Sequence, residues 1–582
     1  MAGKKKHIAL RIIISSVLII MVLAGSALIW LSYNYKRIIM LRFPAMIEKG
    51  SDSIYHASIE DIDIHFLSRT ATIKGLKLWP DKEQAKAVRA RKTHIPTTLS
   101  TLNAPLVEIY GITWIDLLTS HSLDCDHVIV HDLVWLMEAN PDPEDSLFEK
   151  KKKGEPELMR IRVARGDILQ RTVTYKYEGA KTKFSCILCG GTGLLNHFVY
   201  NLDMNDSKDS NLFLYGNSGY VRPDSFLFIK TGNRYTVKKP NLDFETGTHS
   251  ITLKSVKLEN LVNVNEETRK AQEVYNLKFP NIVITGLNWN QLVNDGMLQA
   301  NEIQATNPLI DIRYISENTT PKGRMGDYPN QQLHEVGLKT NIMKLTMKDG
   351  LFRFTQPVEK SQQEGIIELE HLDCEITNIT NMDSIVSRHD NCAIKIKAKY
   401  NHKSNVAGTI NLTLGNVKGH FTMDGYLENL DAADVTKQTQ AFALFEVTSL
   451  HMSKIDVKLE GDETYVAGGL TMLYQDLKIS FLKFQGDHRK NKKGPLSFIA
   501  NTILLYPQNP MPNKEVRQVT TTFARDTTKG FVSMVWENIL RGAKKTAIRS
   551  NAMINVVDGP ETTKGEKPKK GIFKRLFGKK NK

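Results

Sequence analysis

The chain has 582 residues, 41% apolar and 24% charged, with a formal charge of +15. At roughly 150 residues per domain it holds about four domains' worth of chain; it is too apolar for a disordered protein and too polar for a polytopic membrane protein. Residues 1–42 carry seven Lys/Arg and no acid, and 564–582 carry nine against Glu566, so 43–563 are net neutral, which excludes the basic folded body of a nucleic-acid binder. Five cysteines exclude a disulfide-framed scaffold.

A basic stub, residues 1–11, precedes an uncharged run of 21 residues, Ile12–Ser32. As a helix this run spans about 31 Å, close to the roughly 30 Å hydrocarbon core of a bilayer. Trp30, Tyr33 and Tyr35 stand at its far end, where an aromatic belt belongs. A cleaved signal peptide fits less well, because Leu28–Leu31 continue the apolar run past the small residues Ala24–Ala27. The reading is a single-pass transmembrane helix over 12–32, with the N-terminus cytoplasmic and the body outside, followed by an amphipathic linker over 33–56.

Beyond residue 57 the apolar residues alternate with period two, the signature of strands with one polar face. Cys392, Ile394, Ile396 and Ala398 share a face opposite Lys395, Lys397 and Lys399, and Leu470, Met472 and Tyr474 repeat the pattern. The unit is duplicated. Pro105, Gly111, Trp114, Leu117, Leu123 and Val128 recur as Pro280, Gly286, Trp289, Leu292, Leu298 and Ile303 at an offset of 175. Asp61–Ile64 and Thr72–Leu78 recur as Asn241–Phe244 and Thr252–Leu258 at 180, and Met159–Gly166 recurs as Met343–Gly350 at 184. A repeated β-unit stacks on its neighbour to bury its apolar face. These blocks define a first β-repeat module over 57–240, a second over 241–390, a C-terminal β region over 391–510, an amphipathic helical segment over 511–550 and a basic tail over 551–582. In the helical segment Phe531, Val535, Trp536, Ile539, Leu540 and Ala543 form one apolar stripe, suited to a membrane or a partner. In the tail Phe573, Lys574, Arg575, Leu576 and Phe577 interleave aromatic and basic residues, which suits an anionic lipid surface such as that of a second membrane, or else a solvated tail.

Taken in order, several segments resemble the AsmA-like family of envelope proteins: "ASIEDIDIHFLSRTATIKGLKLWP" at Ala57–Pro80, "VEIYGITWIDLL" from Val107, "HFTMDGYLENLDAADVTKQ" at His420–Gln438, "VAGGLTMLYQDLKISFL" at Val466–Leu482, "NPMP" at Asn509–Pro512 and "GFVSMVWENILRGAKKTA" at Gly530–Ala547. The resemblance implies a mainly β fold: an elongated, curved antiparallel sheet with an apolar groove, built from duplicated units, with short helices at the C-terminal end. It also implies an inner-membrane anchor, a body in the periplasm of a Gram-negative-type envelope, and a part in lipid movement or homeostasis. Expected partners are membrane lipids, phospholipid or glycolipid, with a protein partner as an additional candidate and no nucleic acid.

The physical basis is simple. Exposing an acyl chain costs about 0.8 kcal/mol per methylene, roughly 12 kcal/mol for sixteen carbons, and a bent sheet that is apolar inside removes most of that cost. The residues expected to face lipid are Ile394, Ile396, Ile410, Leu412, Phe421, Met423, Leu470 and Met472. The same alternation also fits strands whose apolar faces close into a dry core. An envelope scaffold that binds a protein partner through the same surface is the alternative function.

No catalytic residue, cofactor or metal ligand set is expected. The sequence has no P-loop, GxSxG, HExxH or strand-to-helix GxGxxG. Cys186 and Cys189 form a CxxC without a second pair, in strand-patterned sequence where three-residue spacing spans about 10 Å, too far for a disulfide. His121, His127 and His131 lie near acids, but the repeat partners of His127 and His131 are Glu302 and Thr306, so the copies share no ligands. Asp61 and Asp63 share a strand face and read as solvated.

Overall fold

A computed structural model describes residues 35–37, 39–45, 47–49, 51–89, 98–114, 116, 122–139, 160–178, 183–201, 216–230, 233–238, 241–245, 250–261, 272–288, 291–292, 297–315, 325–326, 328–336, 338–358, 363–443, 445–485, 489–492, 504–527 and 530–549. The membrane segment expected at 12–32 and the tail with Phe573, Lys574, Arg575, Leu576 and Phe577 lie outside the described residues. Among the described residues no helix is long and apolar enough to cross a membrane.

The chain is mainly β and forms two units. The first comprises Met1–Glu178 with Ser185–Asp224, the second Gly179–Phe184 with Ser225–Lys582. Unit 1 contains β1 (Tyr55–Ser58), β2 (Asp61–His65), β3 (Thr70–Pro80), β4 (Thr98–Tyr110), β5 (Ser122–Ala139) and β6 (Arg160–Glu178), then β7 (Lys183–Cys189), which carries the division at Phe184, β8 (Thr192–Asn201) and β9 (Ser218–Arg222). Helix α1 (Lys82–Arg89) starts where the Asp81 carboxylate accepts the backbone N–H groups of Glu83 and Gln84, both at 2.9 Å.

Unit 2 begins with β10 (Ser225–Lys230), β11 (Asn233–Lys238), β12 (Asn241–Glu245), β13 (Ser250–Leu261), β14 (Gln272–Thr285), β15 (Met297–Thr306) and β16 (Leu309–Ile315). After the short α2 (Pro329–Glu335) come β17 (Lys339–Val358), β18 (Gln363–Thr380), α3 (Asp383–Val386), β19 (Asn391–Tyr400), β20 (Ser404–Thr413) and β21 (Phe421–Asp431). The chain then runs through α4 (Ala432–Ala443), β22 (Phe445–Gly461), β23 (Tyr465–Gln485), β24 (Arg489–Lys492), β25 (Gln518–Ala524) and α5 (Phe531–Ala547). At the start of helix α4, the Asp434 carboxylate reaches back to accept the Asp431 N–H at 2.8 Å.

Two corrections to the sequence reading follow from the ladders. The sheet is mixed rather than antiparallel: β5 pairs parallel to β6, and β15 and β16 pair parallel to β17. A parallel pair needs a crossover instead of a hairpin, and in unit 2 that crossover carries α2. The parallel step falls at the same place in both copies of the repeat. Its register shifts the third block. Val128 faces Gly166 while Ile303 faces Leu345, so the structural offset there is 179, five residues short of the 184 suggested by Met159–Gly166 and Met343–Gly350.

The first two blocks align as expected, and backbone dihedrals mark the alignment. Left-handed residues recur at Gly75 and Ser255 (φ 62° and 57°), Gly111 and Gly286 (70° and 64°), and Asp132 and Asn307 (49° and 50°). Gly75 and Ser255 interrupt β3 and β13 opposite Pro105 and Pro280, prolines that offer no N–H to a ladder. At Gly75 a Cβ would lie 2.3 Å from the Glu60 side chain. The interruption continues across neighbouring strands: β5 loses register between Val130 and Leu133, and β17 between Met347 and Phe352, where Asp349 is left-handed (φ 52°). In β18, His371 is also left-handed, and its Nδ1 lies 2.7 Å from Asp349 Oδ1. An extra residue bends a strand and increases its twist. Aligned from strand to strand, these bulges crease the sheet of each unit along a line that crosses the strands.

Candidate functional site

The crease keeps the same side of each strand facing inward on both limbs, and that side is apolar. In unit 1 the ladder places Ile62, Ile73, Val107, Val130, Ile168, Gly193 and Val221 in one rung across β2, β3, β4, β5, β6, β8 and β9. Ile64, Ala71, Ile109, Val128, Gly166, Leu195 and Gly219 form the next. In unit 2 the corresponding rungs are Leu253, Ile282, Ala305, Met347, Cys374, Ile396, Gly408, Gly425, Val457 and Leu470, and Ile251, Ile284, Ile303, Leu345, Ile376, Ile394, Ile410, Met423 and Leu459. Neither rung contains a charged residue over nine or more strands. With strands about 4.8 Å apart, nine strands extend roughly 38 Å.

Beyond the crease the second limb contributes Leu277, Ile310, Phe352 and Leu369, and then Tyr275, Ile312, Phe354 and Ile367. The limbs meet at the crease, where Ala104 is 1% exposed and Val107, Leu133, Ala305, Leu372 and Cys374 are also buried. Farther out the rungs are half-buried, as at Ile109, Val128, Ile282, Ile284 and Ile303. The opposite face carries cross-strand ion pairs, among them Lys344–Glu375 at 3.0 Å and Lys395–Glu375 at 3.7 Å. The Lys344 partner holds the Glu375 carboxyl below its ordinary range.

Within unit 2 the rungs run into an apolar cavity of about 460 Å³. An engineered cavity of about 150 Å³ with a similar lining already takes up benzene. Ile396, Gly408, Gly425 and Val457 of one rung and Ile410 and Met423 of the other form one wall, and Phe352, Ile367 and Leu369 form the second limb. Helix α4 adds Val435 and Gln438, and α5 adds Phe531, Val535, Trp536, Ile539, Leu540 and Ala543. The facing glycines Gly408 and Gly425 widen the cavity, since no side chain rises from either.

Polar fixtures hold the two ends of this closed region. At one, Tyr328 is fully buried just ahead of α2, edge-on to Phe421 and Phe531 with centroids 6.0 and 5.2 Å away. Its hydroxyl donates to the Asp462 carbonyl at 3.2 Å, and the Arg525 guanidinium lies 4.5 Å from its ring centroid. Burial pushes this phenol up to about 12, so it remains a donor. At the other, Asn509 of the NPMP segment exchanges backbone hydrogen bonds with Tyr474 at 2.9 and 3.1 Å and donates its side-chain amide to Met472 O and Arg517 O at 2.7 and 3.0 Å, clasping the preceding segment to β23.

The eight residues expected to face lipid separate. Ile396, Ile410, Met423 and Met472 line the cavity. Ile394 is a half-buried rung residue beside it. Leu412, Phe421 and Leu470 sit in closed packing at 3%, 0% and 2% exposure and do not line this cavity; the reason is that α5 and the Tyr328 plug cover the sheet there. The apolar stripe of α5 is correspondingly turned to the chain's own sheet rather than outward. Gly542 makes that approach close: a Cβ on it would sit 3.0 Å from the Leu470 side chain. Sequence reasoning missed α4, α2 and the crease. The crease had a signal in the Gly, Asp and Asn residues that interrupt alternation opposite the repeated prolines.

The sites set aside on sequence have these surroundings. Cys186 and Cys189 are free and lie on β7. Burial pushes the thiols of Cys125, Cys186, Cys374 and Cys392 up to about 11, so they are protonated at neutral pH. His127 lies 2.5 Å from Asp167 and His131 2.8 Å from Glu108, while Asp124 pairs with Arg162; His121 lies outside the described residues. Among the described residues no three His, Cys, Asp or Glu side chains are grouped to hold a metal. Asp61 and Asp63 are not merely solvated: they hold Lys36 and Tyr35.

No protein-family model and no curated protein matches the chain.

Proposed function

We propose that the chain is a non-enzymatic lipid-handling protein. It is anchored by 12–32 in the inner membrane with its body in the periplasm, and it shields acyl chains along the creased sheet in support of lipid transport or outer-envelope homeostasis. The observation that carries the reading is the pair of uncharged rungs that cross each unit and, in unit 2, lead into a 460 Å³ apolar cavity. Apolar surface that is only half-covered is unfavourable in water at about 25 cal/mol per Å², and an acyl chain lying along the rungs relieves that cost for both parties.

The test pairs gentle purification with mass spectrometry, using the wild type and Ile284→Asp. The expected outcome is co-purifying phospholipid or glycolipid that falls severalfold in a variant that remains folded by circular dichroism. Unfolding of Ile284→Asp together with lipid-free wild type sinks the reading. A stoichiometric protein in place of lipid turns it into an envelope scaffold.

A further inference from the structure

The two rungs of unit 1 begin at an identifiable place. Ile62 and Ile64 are their first residues, on β2, which pairs only with β3 among the described ladders and so forms part of the sheet's terminal edge. The acids that alternate with them hold the chain's first described residues. Tyr35 donates its hydroxyl to Asp63 Oδ1 at 3.0 Å, and the Tyr35 hydroxyl oxygen in turn accepts the Ile64 N–H at 3.0 Å, satisfying a backbone donor of the edge strand. Lys36 Nζ reaches Asp61 Oδ1 at 3.2 Å. The Tyr35 ring is 7% exposed and meets Phe66 edge-on at 5.9 Å, and Phe66 packs on Trp114 at 5.1 Å. A short helical stretch, 39–45, follows. Leu41 is 66% exposed and Met40 38%, and Arg37 and Arg42 beside them are exposed as well. Leu67, next to Phe66 at the β2–β3 turn, is fully exposed.

Exposed apolar residues interleaved with arginines are the composition of a segment that lies at a membrane interface. The uncharged run 12–32 ends at Ser32, three residues before Tyr35. We propose that residues 35–45 seat on a bilayer carrying anionic headgroups, with Arg37 and Arg42 on lipid phosphates and Met40 and Leu41 among the upper acyl carbons. On this account the Tyr35–Asp63 latch places the first rung residues, Ile62 and Ile64, at that surface as the loading mouth. This rests on the lipid-handling reading and adds to it where lipid is taken up and which headgroup chemistry favours uptake.

The test uses the full chain in nanodiscs of phosphatidylcholine, with or without phosphatidylglycerol, carrying a photoreactive phenylalanine at position 64 or, separately, at position 423 in the cavity. A lipid adduct at 64 is expected, with higher yield when phosphatidylglycerol is present. The Arg37→Gln/Arg42→Gln pair lowers that yield about thirtyfold at limiting lipid, roughly fivefold per arginine. Tyr35→Phe, which keeps the ring and removes the hydroxyl, lowers it severalfold while the protein remains folded by circular dichroism. An adduct at 423 without one at 64, or equal yields at 64 from wild type and Tyr35→Phe, overturns the loading mouth and leaves the lipid reading intact. Yields at 64 indifferent to phosphatidylglycerol and to the arginine pair overturn the headgroup assignment. Adducts at neither position overturn the lipid reading itself.

Discussion

Unit 1 and the C-terminal half of unit 2 present the same apolar rungs and treat them differently. Among the described residues of unit 1, the clustered buried apolar residues fall into three small groups of four, three and three. In unit 2 a single cluster of 21 buried residues joins β19–β23 to α5 and the Tyr328 plug. Ile109 and Val128 in one and Leu459 and Val457 in the other occupy comparable ladder positions, yet the first pair is half-buried and the second buried. The strands are alike; the cover differs. Alternation therefore encodes a surface, and helices supplied elsewhere in the chain decide whether that surface becomes core.

The contrast predicts unequal costs of truncation, and this is the largest effect expected. Phe421→Ala, in the covered region, should cost about 3–5 kcal/mol in denaturant unfolding, whereas Ile109→Ala, on the half-covered rung, should cost roughly half of the 2–5 kcal/mol seen for a core isoleucine. Equal costs would mean that unit 1 is as closed as unit 2.

A smaller effect sharpens the part played by the cover. Gly542→Ala places a methyl 3.0 Å from Leu470, so α5 must give by a few tenths of an ångström. Overpacking of this kind costs about 1–3 kcal/mol. Here it should also raise uptake of an apolar dye by the cavity, because the strain falls on the helix that covers it. Stability lost with no change in dye binding would show that α5 does not control access.

The smallest effect is electrostatic. Lys403 holds Asp431 below its ordinary range with help from His451, and Arg165 does the same for Asp167 with help from His127. A carboxyl whose pKa is lowered by folding stabilises the fold above its unfolded value, near 4, and that contribution fades as pH falls through the lower folded value. These groups are partly or largely exposed and screened. Melting temperature should therefore be level across neutral pH and fall modestly below about pH 4. A fall beginning near pH 6 would point to histidine instead.

Much of the fold was legible because strand periodicity and duplication both survive in side-chain identity. The pairs Ile73/Leu253, Val107/Ile282 and Val130/Ala305 occupy matching rungs, as the blocks at offsets 180 and 175 imply. The parallel step was not legible, since β5–β6 and β15–β17 alternate like any other strands and direction is set by the crossover. Leu412, Phe421 and Leu470 looked identical in pattern to Ile410 and Met423; what separates them is the position of α5 and Tyr328, more than fifty residues away in sequence. The roles of Asp61 and Asp63 depend on Tyr35 and Lys36, which period-two reasoning does not reach.

The bend in each sheet is written at Gly75, Asp132, Ser255, Asn307 and Asp349, in backbone conformations, and not in the packing of whatever lies between the limbs. Glycine, asparagine and aspartate tolerate the left-handed region best. A trough shaped by its own main chain keeps its form when vacant, so on the proposed lipid-handling reading an acyl chain would find the walls already in place and forfeit little binding energy to rearranging them.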